Sequence, residues 1–303
     1  MGISIGIISA RNAGYHPNMR LSAAARERGH GAILINPYTA WSGLIKGDHT
    51  LFGDLEKGRP DIIVPRQGAQ VRDSCLALLR HLILMGIPSA NDFEAVLVSR
   101  NQYLTLQSLA GAGIPVPDTM LANSEDVLMK AADHIGGYPF VAKQVSGRQG
   151  QGIMLVRSRK DCRDIATNHL DINKGILLQK FIPPQGRKDI RVFVLGDKAV
   201  ASMELKPKQG DFRANYHLSG MSKGIEIGPQ LSRIAVKAAS VIGLDIAGID
   251  MIVDGNGKSR VVEVNYSPGF KGLEAATGMD IAGMIIDHVH LCYLNKRGTA
   301  KTA

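Results

Sequence analysis

Gly248-Ile249-Asp250-Met251-Ile252-Val253, followed by Asp254-Gly255-Asn256-Gly257 and then Arg260-Val261-Val262-Glu263-Val264-Asn265-Tyr266-Ser267-Pro268-Gly269, is the stretch whose reading decides the fold. Two β-branched runs flank a turn of Gly and Asn, residues that tolerate the positive φ of hairpin connections, so the segment is expected to be an antiparallel hairpin. Asp250 then falls within a residue or two of a position opposite Glu263. Side chains alternate along a strand, so Glu263 and Asn265 share one face and Val262 and Val264 the other, while Asp250 opposes Ile249, Met251 and Val253 in character. Two carboxylates and an amide oxygen on one face repel each other unless a cation lies between them, and Mg²⁺ suits a few carboxylate oxygens completed by water and phosphate. The bland alternative is a solvated acidic sheet edge. The Asn two residues after the Glu, followed by Ser267-Pro268-Gly269, favours the metal.

The chain of 303 residues is long enough for two or three modest domains, and its 45% hydrophobic content is that of a globular protein rather than a disordered one. No apolar run reaches the eighteen or so residues needed to span a bilayer. The start, Met1 to Ile8, lacks a basic n-region and cleavage site and reads as a first strand, so a cytoplasmic location is expected. Cys75, Cys162 and Cys292 have no metal-ligand spacing and read as small buried hydrophobes. A net charge of +9 points to acidic partners: nucleotides, carboxylate substrates or nucleic acid. No nucleic-acid motif accompanies the charge, so nucleic acid ranks far below the others. The basic tail from Lys296 to Lys301 is expected to be disordered.

Upstream, residues 1 to 95 alternate strand and helix: strands at Ile3–Ser9, Ala32–Asn36 and Asp61–Pro65, a helix capped by Asn18 and stopped by Gly29, and a helix from Gln70 to Met85. The Gly-x-Gly-x-x-Gly fingerprint is missing after the first strand, which excludes a dinucleotide-binding dehydrogenase. A helix is expected from Ser99 to Ala112, ended by Gly113, and a Ser124-capped helix runs to Ile135. The strand Phe140 to Lys143 leads into Ser146-Gly147-Arg148-Gln149-Gly150-Gln151-Gly152, whose glycines allow backbone amides to approach phosphate oxygens, with the Lys143 ammonium alongside. The strand Gly175 to Ile182 reads, on its residues alone, as an edge strand. Asp189 and Arg191 share one strand face and alone read as an ion pair. Pro229 opens a helix, and the final helix spans Asp280 to Leu294, with His288 and His290 read as satisfied surface or interface residues rather than ligands.

Glu263-Val264-Asn265 with Ser267-Pro268-Gly269 and the upstream Asp250 resembles the metal-binding signature of ATP-grasp ligases of the RimK type, the alpha-L-glutamate ligase family. The resemblance covers residues 1 to 294 and includes the segment Gly210-Asp211-Phe212-Arg213-Ala214-Asn215. It implies an α/β ATP-grasp fold with an N-terminal Rossmann-like preATP-grasp domain over 1–95, a central lid subdomain over 96–185, and a C-terminal subdomain with the metal site over 186–294, before the tail 295–303. It implies ATP and Mg²⁺ (or Mn²⁺), as two ions, with Asp250, Glu263 and Asn265 as ligands. Lys143 and Arg191 are then catalytic, and Lys143, Gly147, Gly150, Gly152, Gln179, Lys180, Phe181, Asp189, Arg213 and Asn215 bind the nucleotide. Arg11 and Arg66, just after strands, are either contacts to an acidic substrate or surface cations, and Ser267 and Gly269 belong to the same candidate substrate set. The implied reaction joins an amino acid, glutamate by analogy, to a carboxylate through an acyl phosphate. The acceptor would be the C-terminus of a ribosomal small-subunit protein or a glutamate chain, with a carrier protein or a small cofactor as alternatives, in a dimer or tetramer away from membranes. Gln102 stands where many relatives have a second nucleotide-binding Lys, with Arg100 as a candidate substitute. That departure keeps open a catalytically weak nucleotide-binding regulatory module.

Overall fold

The computed structural model describes residues 2–55, 58–66, 73–148, 151–207, 212 and 221–299. The first region comprises β1 (Ser4–Ile8), α1 (His16–Glu27), β2 (Gly31–Ile35), a hairpin of β3 (Trp41–Ile45) and β4 (Asp48–Phe52), β5 (Ile62–Pro65) and α2 (Asp73–Leu84). Strands β2-β1-β5 form a parallel sheet with the apolar β1 in the middle. Asn18 does not cap α1. It lies buried within the first turn, where its Nδ2 donates to Ser9 Oγ (3.1 Å) and to the carbonyls of Arg11 (3.0 Å) and Asn12 (2.9 Å), pinning the loop after β1.

The connection to the second region is two helices, α3 (Phe93–Ser99) and α4 (Gln102–Gly111), where the sequence predicts one. The chain breaks at Asn101, whose side chain accepts from the amides of Tyr103 and Leu104 and so starts a new helix. There follow β6 (Thr119–Ala122), α5 (Glu125–His134) capped by Ser124, β7 (Phe140–Arg148), β8 (Gln151–Val156), α6 (Arg159–His169) and β9 (Ile176–Lys180). The four strands form an antiparallel sheet in the order β6-β9-β7-β8. Thus β9 is an interior strand and not the edge strand its residues alone suggest; Ile176 to Gln179 are buried because β6 and β7 flank them on both sides.

The third region holds β10 (Lys188–Leu195), β11 (Lys198–Lys206), β12 (Met221–Gly224), α7 (Pro229–Ile242), β13 (Ile246–Val253), β14 (Ser259–Asn265), α8 (Lys271–Thr277) and α9 (Ile281–Thr299), with the sheet order β12-β11-β10-β13-β14. One core packs α7 and the undersides of β10, β13 and β14 against β1, β2 and α2, while another packs the opposite face of the sheet and α9 against β1 and α1. The first and third regions therefore share their apolar interior. The central sheet, with α5 and α6, has a core of its own. Helix α9 continues through Thr299, beyond the expected end at Leu294, because Lys296 donates to the Ser89 carbonyl (2.7 Å) and Asp92 (2.9 Å); the expected disordered tail thus begins as helix, and 300–303 lie outside the described residues.

The deciding hairpin is β13–β14. In its turn only Gly257 takes a positive φ (77°), while Asp254 Oδ1 accepts from the amides of Asn256 and Lys258 (both 3.0 Å). Asp250 pairs directly with Glu263, but a bulge then sets Met251 against Val261. Val261 and Val264, not Val262 and Val264, are accordingly the buried pair, because the extra residue shifts the alternation by one.

Candidate functional site

Three neighbouring strands bring three charges into one row: Arg191 on β10 lies opposite Asp250 on β13, which lies opposite Glu263 on β14. The Arg191 guanidinium donates from Nε to Asp250 Oδ1 (2.7 Å) and from Nη2 to Oδ2 (2.6 Å). Burial opposes the Arg191 charge, yet the Asp250 carboxylate holds its pKa above the ordinary value. The expected Asp189–Arg191 ion pair is not formed, since each finds a closer partner elsewhere.

Glu263 opens into the cleft, and the protein around it together with Asp250 pushes its carboxyl above the usual range; Arg191, Lys143 and an amide bond from Asn265 pull the other way. Asn265 Nδ2 is also 3.5 Å from Asp250 Oδ2. Asp250 and Glu263 thus present hard oxygens at one place, and Asn265, whose Nδ2 faces them here, would offer its Oδ1 on an amide flip; a cation among them would offset both the desolvation and the Asp250 repulsion that raise Glu263. The donor set fits Mg²⁺.

Lys143 reaches this row from the central sheet. Its ammonium donates to Gln179 Oε1 (2.7 Å) across β7 and β9, and Gln179 Nε2 donates onward to Thr119 Oγ1 (3.1 Å). Burial lowers the Lys143 pKa, and Glu263 and Asp250 counter it, so the ammonium lies within electrostatic reach of both carboxylates. Lys143 and Gln179 of the central sheet therefore lie near Arg191, Asp250, Glu263 and Asn265 of the C-terminal sheet. Lys180 and Phe181 lie at the end of β9; the Lys180 amide donates to the Asp118 carbonyl (2.9 Å), and the Phe181 ring is 6.0 Å from that of Phe212. Gly147 and Gly152 belong to β7 and β8, and Gly152 has a positive φ (76°) that other residues would adopt only with strain. Gly150, Arg213 and Asn215 lie outside the described residues.

Asp189 is held by Arg187, whose Nε donates to Oδ2 (2.9 Å) and whose other nitrogens donate to the carbonyls of Ile182 (2.6 Å) and Phe212. Burial raises the Asp189 pKa, and Arg187 opposes the rise. Sequence reasoning missed Arg187. The signal was available: Arg187, just before β10, and Asp189 and Arg191 within it are spaced two apart, so the cation–anion–cation pattern marks side chains of one strand face and its approach.

Arg11 and Arg66 part company. Arg11 is exposed, its guanidinium 5.9 Å from the Tyr15 ring. Arg66 is buried, donates from Nη2 to the Pro268 carbonyl (2.7 Å), lies 5.6 Å from the Phe270 ring, and leaves Nε and Nη1 without a partner among the described residues. Burial pulls its pKa down to about 10. It ties the end of β5 to the Ser267-Pro268-Gly269 loop, where Ser267 is half-buried and Gly269 exposed. That loop crowds β13: a Cβ at Gly248 would stand 2.7 Å from Pro268 Cβ, so only Gly admits it there. Gln102 opens α4 and gives its Nε2 to the Val262 carbonyl (3.1 Å) on the hairpin bulge, and Arg100 pairs with Asp73 (3.1 Å).

Residues 99–289 match the RimK-like ATP-grasp domain family, and residues 3–96 match the RimK PreATP-grasp domain family. A curated relative from Vibrio cholerae named "Probable alpha-L-glutamate ligase" is 35% identical over 97% of this chain and 98% of its own length. One from Hahella chejuensis, named "Probable alpha-L-glutamate ligase 2", is 36% identical over 97% of each chain. Among solved structures, the ATP-grasp ligase PsnB complexed with minimal precursor superposes with a TM-score of 0.75 over 96% of this chain and all of its own, at 21% identity. The RimK domain protein from Sphaerobacter thermophilus gives 0.75 over 94% of this chain and 98% of its own, at 22% identity. The fold is thus that of an ATP-grasp enzyme with a preATP-grasp domain, and the chain, an ATP-dependent ligase, belongs to the RimK-like ATP-grasp family.

Proposed function

We propose that this enzyme forms an amide bond between a substrate carboxylate and the amine of glutamate, by way of an acyl phosphate, with the nucleotide held between the central and C-terminal sheets. The observation that carries the reading is the row Arg191–Asp250–Glu263 with Lys143 facing it. A free carboxylate is a poor electrophile. Its oxygen attacks the γ-phosphorus, ADP leaves, and the amine then attacks the acyl carbon and expels phosphate.

Asp250, Glu263 and Asn265 would hold Mg²⁺, as two ions, and the metal supplies charge neutralisation at the phosphates. Lys143 and Arg191 bring fixed positive charge to the same oxygens without reorganisation during the step. Asp189, steadied by Arg187, is suited to the ribose, and Gln179 with the backbone of Lys180 and Phe181 to adenine. Gly147, Gly150 and Gly152, with Arg213 and Asn215, complete the nucleotide set on the strength of the family motif. Arg66, with Ser267 and Gly269, is assigned to the carboxylate substrates; Arg11, exposed, is the weaker member.

The preferred acceptor is a peptide or protein C-terminus, a ribosomal small-subunit protein or a glutamate chain. Support comes from the names of the glutamate ligase relatives and from the precursor-bound neighbour. Trp41, Leu44 and Ile45, all more than half exposed on the β3–β4 hairpin, support association into a dimer or tetramer. The test is incubation of purified protein with ATP, Mg²⁺ and glutamate, with and without candidate acceptors, followed by intact-mass measurement. A gain of one or more glutamyl residues with matching ADP release supports the reading. Phosphate release without any amide product, across peptide, carrier-protein and small-molecule acceptors, would sink it.

A further inference from the structure

At the end of β13 remote from Asp250, a second cluster of metal-ligating side chains has no part in the ligase chemistry. Asp245, in the turn between α7 and β13, faces His288 and Cys292 of α9. One donor atom from each lies within 4.8 Å of the other two, and His288 Nε2 is 3.4 Å from Cys292 Sγ. The two helix residues are four apart, the spacing that stacks side chains on one helix face. We infer that Asp245, His288 and Cys292 form a three-ligand zinc site that joins α9 to the turn before β13.

The donor set selects the metal. A thiolate with an imidazole is a soft-to-borderline pair that Mg²⁺ and Ca²⁺ avoid, and with one carboxylate it makes a three-residue zinc set with a fourth position for water. Donors at zinc-ligand distances around a tetrahedral ion stand about 3.2–3.8 Å apart. The His288–Cys292 separation already falls in that range, and an Asp245 oxygen lies within 4.8 Å of both. Asp245 is 30% exposed, which gives the ion a way in.

The surrounding charges also accommodate the ion. Lys296 lies 3.7 Å from Asp245 Oδ2, but its shorter bonds go to the Ser89 carbonyl (2.7 Å) and to Asp92 (2.9 Å). A divalent ion with Asp245, a Cys292 thiolate, Lys296 and Asp92 sums to zero charge. Without metal the thiol is protonated, its pKa pushed up to about 12 by burial and by Asp245. Binding therefore forms the metal–sulfur bond, breaks S–H and releases one proton to solvent. Ser89, Asn91 and Asp92 come from the preATP-grasp region, and Asn91 holds both the amide (2.7 Å) and the carbonyl (2.8 Å) of Ile246 beside Asp245. The site thus lies where that region joins the C-terminal sheet.

The test uses the full-length, metal-stripped protein with excess Mg²⁺ to occupy the carboxylates of the cleft. Addition of Co²⁺ should produce a thiolate-to-cobalt charge-transfer band that saturates at one equivalent, is displaced by Zn²⁺, is lost in Cys292→Ser and survives in Cys75→Ser and Cys162→Ser. No band, or a band that persists in Cys292→Ser, overturns the proposal. X-ray absorption of the zinc-loaded wild-type protein, which needs no variant to fold, should show one sulfur at about 2.3 Å with nitrogen and oxygen neighbours. A shell of nitrogen and oxygen alone also overturns it. Asp245→Asn and His288→Gln should each weaken zinc binding at least ~10-fold, since each removes a ligand.

Discussion

Arg191 closes a two-bond fork on Asp250, 2.7 and 2.6 Å, from β10 across to β13, the strand that carries the first of the candidate metal ligands. The two side chains are 16% and 17% exposed, so neither charge is tolerable there alone. Asp250→Ala should therefore cost about 3–5 kcal/mol, because it strands a buried guanidinium. The double variant Asp250→Ala/Arg191→Met should recover part of that loss, and urea denaturation of the three proteins measures the coupling. Strictly additive losses would show that the fork is not the stabilising unit.

The same fork fixes what Arg191 can do in turnover. Arg191→Lys keeps the charge but not the planar pair of donors, and kcat should fall about 10²–10³-fold with the ATP KM little changed. Wild-type kcat in this variant would remove Arg191 from the reacting phosphate.

Glu263 carries a pH signature. Its folded pKa is raised above the ordinary 4.5 by the loss of water to the surrounding protein and then by Asp250, so the native state binds this proton more tightly than the unfolded chain. That contribution is fully present below the unfolded pKa and is lost as pH rises through the folded one, so metal-free protein should lose stability across this interval. Glu263→Gln should remove that slope and raise the metal-free Tm at neutral pH, while lowering ligation at least ~100-fold. Mg²⁺ should raise the Tm of wild type and leave that of Glu263→Gln nearly unmoved. A variant that ligates at the wild-type rate would dismiss Glu263 as a ligand.

Much of this site was legible because strand chemistry is local. A β-branched run, an Asp-Gly-Asn-Gly turn and the period of two were enough to place Asp250 beside Glu263. The bulge at Val262 was not, since one extra residue in a ladder leaves no compositional mark, and it reversed which valine is buried. The β3–β4 hairpin also escaped: Lys46 and Gly47 turn it with φ of 54° and 92°, but most of its residues are half-buried, and neither strand shows the alternation of a one-sided strand. Asn18 misled for a related reason, because its side chain bonds backward to a loop rather than forward to a helix end. Arg187 was passed over although Asp189 and Ile182 are local partners, because the contact that completes it, the Phe212 carbonyl, is 25 residues away and comes near only on folding.

Gln102 allows a gain-of-function experiment. Its amide is engaged by the Val262 carbonyl, next to Glu263, and brings no charge to the cleft. Gln102→Lys would add an ammonium, and a charge-assisted bond exceeds a neutral one by about 1 kcal/mol, or roughly 5-fold in affinity. The ATP KM should drop by about that factor in steady-state assays. An unchanged KM would mean that position 102 braces the hairpin and does not meet the nucleotide.

Arg66 separates substrate binding from nucleotide binding. It sits far from Lys143 in sequence, holds the Pro268 carbonyl, and retains two donor nitrogens without a partner among the described residues, where burial lowers its pKa to about 10. A buried guanidinium with unused donors is costly unless an anion completes it, and a substrate carboxylate is the anion this reaction provides. Arg66→Met should raise the KM for the amino acid or the acceptor at least ~10-fold, the loss of one charged hydrogen bond, while the ATP KM stays within ~2-fold. Arg66→Lys should restore little, because an ammonium cannot keep Pro268 and a carboxylate in one plane. If Arg66→Met instead lowers kcat and Tm together with every KM unchanged, the residue only clamps the Ser267-Pro268-Gly269 loop onto β5, and the carboxylate contact must be sought elsewhere.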